Sequence, residues 1–121
     1  MRALAFATWL ALLQTITPLP AIEAKAPKDI ATVEAVNDAM EAFSRKVSAC
    51  VTAGGPAGKC RCSYPQDLAS LRTRYDGLIT QHPGWKDQLV SYQYINKDGK
   101  NISGTLVLQN LRRQLEALTC N

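Results

Sequence analysis

Apolar residues return along the first half of the chain at steps of three and four: Val33, Val36, Met40, Phe43, Val47 and Cys50. Steps of that size follow one stripe of an α-helix, so the spacing predicts a helix over residues 29–51 with Asp29 as its N-cap. Ala31, Ala35, Ala39, Ala42 and Ala49 favour it by propensity. The stripe is read as core-facing, because a coiled-coil seam needs more sustained heptads. Gly54-Gly55-Pro56 ends the helix and opens a loop reaching Tyr64. Pro65 suits the first position of a second helix. Leu68, Leu71, Tyr75 and Leu78, with Ile79 beside them, carry its stripe to His82, where Pro83-Gly84 stops it. Two stripes joined by an elbow predict an antiparallel helical hairpin.

Beyond Trp85 the period changes. Val90, Tyr92 and Tyr94 alternate with Ser91 and Gln93, and Asn96-Lys97-Asp98-Gly99-Lys100 carries an Asp-Gly turn signal. Ile102, Thr105 and Val107 supply a return strand, so a β-hairpin is predicted, with Gly104 read as a weak point and a candidate bulge. A helical alternative exists, since Trp85, Leu89 and Tyr92 also fit a 3.6 period. Leu108, Leu111, Leu115 and Leu118 return to helical spacing and predict a last helix over residues 109–119. The fold class that follows is α+β, mainly α: a helical hairpin, a β-hairpin and a C-terminal helix.

The N-terminus follows a different logic. Arg2 precedes an eleven-residue apolar run, residues 3–13 (ALAFATWLALL); Pro18 and Pro20 follow, then the small residues Ala21 and Ala24. That is the pattern of a secretory signal peptide over residues 1–24, with cleavage after Ala24. A membrane span needs about 20 apolar residues, so no stable membrane insertion is expected once the signal is removed. The remaining residues, 25–121, are expected to form one small secreted or periplasmic domain, a bacterial envelope being the favoured setting.

Export changes the reading of the four cysteines, Cys50, Cys60, Cys62 and Cys120. An even number in an oxidising compartment predicts two disulfides. Cys60–Cys62 would close too tight a ring. The remaining choices are Cys50–Cys60 with Cys62–Cys120, or Cys50–Cys62 with Cys60–Cys120, and either ties the tail to the middle of the chain. The competing chemistry is a thiol-redox or metal-binding role for the Cys60-Arg61-Cys62 segment. Structural zinc sites use paired cysteines two to four residues apart, whereas Cys50 and Cys120 are isolated, and no Cys-X-X-Cys is present.

Composition limits what the domain does. With 121 residues, 46% hydrophobic and 20% charged, the chain is a folded domain, too short for large nucleotide-binding or barrel architectures. Gly54-Gly55-Pro56-Ala57-Gly58-Lys59-Cys60 resembles a phosphate-binding loop only superficially, since Cys60 stands where Ser or Thr would hold Mg²⁺. Asn101-Ile102-Ser103 matches a glycosylation sequon that acts only in a eukaryotic secretory pathway. The single histidine, His82, is read as closing the second helix. Asp67, Asp76 and Asp87 are read as solvated charges rather than paired catalytic acids. No catalytic residue, metal ligand or cofactor is assigned, and an enzyme is not expected.

Charge carries the functional hint. The net charge is +4, but Arg45, Lys46, Lys59, Arg61, Arg72 and Arg74 surround the single acid Asp67 over residues 45–74. If the helices pair, these cations gather at the elbow and attract an anionic or protein partner. Nucleic-acid binding would want a stronger excess with interleaved aromatics, so no specific nucleic acid is expected. The candidate binding surface joins this basic elbow to Trp85, with Tyr92 and Tyr94, because Arg and aromatic side chains anchor interfaces. The function expected is a non-enzymatic binding or adaptor protein.

Overall fold

The computed structural model describes residues 21–120. Residues 1–20 of the expected signal peptide lie outside the described residues, as does Asn121. Strand β1 (Ala21–Glu23) leads into helix α1 (Pro27–Thr52), a short helix α2 (Ala57–Arg61) and helix α3 (Pro65–Gln81). A 3₁₀ turn (Pro83–Trp85), strands β2 (Leu89–Ile95) and β3 (Asn101–Val107), and helix α4 (Leu108–Ala117) complete the chain. The protein is therefore mainly helical, with one three-stranded sheet in the order β1-β2-β3.

Helix α1 starts two residues before Asp29. Ala26 is its N-cap without a side-chain hydrogen bond, and Pro27 stands at the start. Asp29 instead lies in the first turn and meets His82 Nε2 at 2.8 Å, which ties the start of α1 to the C-cap of α3. The His82 ring stacks on Trp85 with centroids 3.7 Å apart. The apolar stripe of α1 faces the core: Val33, Val36 and Phe43 are buried, and Met40 and Val47 pack against them. On α3 the buried set is Leu68, Leu71, Tyr75 and Leu78, and on α4 it is Leu108, Leu111 and Leu115. One core thus spans the helices and the inner face of the sheet.

Strands β2 and β3 run antiparallel in an unbroken register that pairs Val90 with Leu106, Tyr92 with Gly104 and Tyr94 with Ile102. These six share one face, so the inward positions of β3 are Ile102, Gly104 and Leu106; Thr105 is exposed. Gly104 marks no bulge. It sits under the Tyr92 ring, where a Cβ would come within 2.5 Å of the phenol oxygen. The turn between the strands rests on Asn96, whose Oδ1 accepts from the amides of Asp98 and Lys100 at 2.9 Å each. Gly99 takes φ +76 there, a left-handed conformation that glycine adopts without strain.

Strand β1 has no counterpart in the sequence reading, which placed it inside the signal peptide. It pairs parallel with β2, Ile22 beside Val90, and the Ala24 amide donates to the Ser91 carbonyl at 2.8 Å. Ala24 itself is buried.

Candidate functional site

The elbow between α1 and α3 is built around sulfur. Cys50–Cys60 and Cys62–Cys120 are the two disulfides, with Cα–Cα separations of 5.7 and 5.4 Å. No free cysteine occurs among the described residues. Consecutive bridges on either side of Arg61 hold the elbow to the end of α1 and to the chain's tail. Gly54, at φ +100, turns the chain out of α1, and Gly55 lies against both sulfurs of the first bridge, where a Cβ would fall 2.6 Å from Cys60 Sγ. The segment expected to be a loop contains the five-residue helix α2, which places Cys60 inward, fully buried, and leaves Lys59 and Arg61 outward.

The six elbow cations do not act as one set. Lys46 is engaged: its Nζ meets both Asp67 oxygens at 2.9 and 3.0 Å and lies 5.9 Å from the Tyr64 ring centroid, joining α1 to the start of α3. Arg72 donates from Nη2 to the Leu118 carbonyl at 3.0 Å, closing the end of α4. Arg74 lines a separate depression with Asp38 and Asp67. Arg45, Lys59 and Arg61 are exposed and form no ion pair with a described acid.

The aromatic half of the expected surface lies elsewhere. Trp85 follows the far end of α3, whose 17 residues span about 25 Å, and is half-buried against His82. Tyr92 is a core residue at 5% exposure. Tyr94 donates its phenol proton to Glu34, at 2.7 Å from Oε2 and 3.0 Å from Oε1. That bond holds the Tyr94 hydroxyl above its usual pKa, with burial adding to it; burial first of all does the same for Tyr92 and Tyr75. The length of α3 and the inward pleat of β2 therefore separate the basic elbow from these aromatics.

Beside the elbow runs a groove that sequence reasoning missed, a cavity of about 350 Å³ between α1, α3 and α4. Its floor is the buried set Phe43, Leu71, Leu111 and Leu115, and its walls include the half-buried Met40, Val47 and Leu118. Arg61, Ser44, Ser48 and Gln114 form an exposed polar rim, and none of the lining residues is acidic. The stripes on α1 and α4 read as a closed core seam in the sequence. The available signal was the pair Ser44 and Ser48, one turn apart beside the α1 stripe, which interrupts what a closed seam would keep apolar.

Among the described residues no cluster of three or more His, Cys, Asp or Glu side chains is arranged to hold a metal, and no helix is long and apolar enough to cross a membrane. No family model matches the chain, and no curated protein or solved structure matches it.

Proposed function

We propose that this chain is a small exported, non-enzymatic binding protein that engages an anionic partner through the elbow. The observation that carries the reading is the placement of Arg45, Lys59 and Arg61: three exposed cations without an acidic partner among the described residues, around a turn locked by disulfides. Such a surface presents positive charge on a rigid base, which steers anions and limits the ordering cost of binding. Export into an extracellular or periplasmic space is part of the proposal. It is supported by the signal pattern of residues 1–24 and by the two disulfides, which suit an oxidising compartment.

The test compares two charge reversals of equal size on a sulfated polysaccharide column. Arg45→Glu/Lys59→Glu/Arg61→Glu is expected to elute at much lower salt than wild type. Lys86→Glu/Lys97→Glu/Lys100→Glu, which removes the same charge from exposed positions away from the elbow, is expected to elute at clearly higher salt than the elbow variant. Equal elution of the two variants would show that net charge alone governs retention and would remove the elbow as a site.

A further inference from the structure

We infer that the groove beside the elbow takes the apolar chain of a single-chain anionic amphiphile, a long-chain carboxylate, with its head group on Arg61. The inference rests on the proposed anion-binding elbow and gives that site a ligand class. Two properties of one cavity lead to it. The interior is lined by Met40, Phe43, Val47, Leu71, Leu115 and neighbouring apolar groups, so it rewards removal of hydrocarbon from water. Its one charged lining group is Arg61, exposed on the rim at the end of α2, with no ion-pair partner among the described residues. A ligand that satisfies both has an apolar body and a negative end. A guanidinium meets a carboxylate through two parallel hydrogen bonds, which favours that head group over a diffuse anion.

Size and rigidity narrow the choice. About 350 Å³ falls at the small end of ligand cavities, which run from about 300 to 1,000 Å³. One thin chain fits better than a two-chain lipid or a fused ring system. The groove is also set before a ligand arrives. Cys62–Cys120 fixes the tail beyond α4 to the residue that follows Arg61, and Arg72 holds the Leu118 carbonyl on the α4 wall. Walls held this way lose little conformational freedom on binding.

The experiment uses the exported, disulfide-closed protein and follows its methyl resonances during titration with dodecanoate below micelle formation. Saturable shifts confined to Met40, Val47, Leu111, Leu115 and Leu118 are expected. Dodecyltrimethylammonium, with the same chain and the opposite charge, is expected to bind at least tenfold more weakly. Arg61→Glu should weaken dodecanoate at least tenfold, and Ser44→Trp, which plugs the groove from an exposed position, should abolish the shifts. Equal affinity for the two head groups, undiminished binding by either variant, or shifts spread over the whole surface would overturn the inference. So would binding to anionic vesicles alone, which would place the partner on a membrane surface. If dodecanoate fails while the elbow charge reversal still lowers polysaccharide retention, only the groove assignment falls; failure of both removes the elbow as well.

Discussion

Gly104 and Tyr94 show how single residues set the packing of the sheet. The Tyr92 ring lies across Gly104 in the partner strand, and that ring is enclosed in the core. A methyl group at position 104 has to displace it. Gly104→Ala is therefore expected to destabilise by about 1–3 kcal/mol, the usual cost of overpacking, although alanine suits a strand better than glycine. A thermal melt checks this, with about 4–8 °C lost per kcal/mol in a domain of this size. Tyr94 acts through its proton. The phenol is a donor to Glu34 only while neutral, so the folded state holds that proton more tightly than the unfolded chain, and burial gives Tyr75 and Tyr92 the same sign. Stability from these groups is fully present below their unfolded pKa of about 10 and is lost as pH rises through the higher folded values. Unfolding midpoints should fall above about pH 10. Tyr94→Phe should reduce that alkaline fall, and an unchanged pH profile would deny the Tyr94–Glu34 bond its role.

At the scale of elements, β1 bears on where the proposed signal cleavage can fall. Cutting after Ala24 would remove a strand whose Ile22 packs on the core and would leave the β2 edge open. Unpaired backbone groups and lost apolar burial both disfavour that product. If the chain is exported and cleaved as proposed, the processed form is expected to retain Ala21–Glu23, with cleavage upstream of the strand, and a chain begun at Lys25 should melt at least several degrees lower than one begun at Ala21. N-terminal sequencing and paired melts check the two halves of this expectation. The elements that were legible are those with a long period. Six apolar positions on α1 outweigh any single wrong residue, and the stripes of α3 and α4 likewise report their buried faces. Short elements were not legible: β1 has three residues and α2 has five, too few for a period to appear. Leu106 escaped notice because Gly104 breaks the inward alternation of β3, and only the ring across the ladder explains the glycine. The site was half legible. Counting charges pointed to the elbow, but which of its cations are engaged depends on Asp67 and the Leu118 carbonyl, contacts that no local pattern contains.

The whole molecule is small, and a domain of about 100 residues buries only about two-thirds of its unfolded surface, so covalent links carry an unusual share of its stability. The bridges differ in what they constrain. Cys50–Cys60 closes 10 residues and Cys62–Cys120 closes 58. Unfolded-state entropy alone gives about 3 and about 4 kcal/mol respectively. Accessibility points the other way from stability. Cys60 is fully buried with Gly55 packed on its sulfur, whereas Cys62 is half-buried and Cys120 exposed. Reductant reaches an exposed sulfur through attack by a thiolate, so the long-range bridge should open first although it contributes more. Mild reduction followed by alkylation should yield a species with Cys50–Cys60 intact and Cys62 and Cys120 labelled. That species should be less stable by about 4 kcal/mol in denaturant titration. It should also lose the fixed end of α4, because Leu118 would then be held to the rest of the protein chiefly by Arg72 and packing. Labelling of Cys50 and Cys60 first would mean that the elbow opens more readily than the tail. Rigidity of the turn carrying Lys59 and Arg61 would then not support the proposed binding; the groove wall and the basic elbow share one frame only while both links are closed.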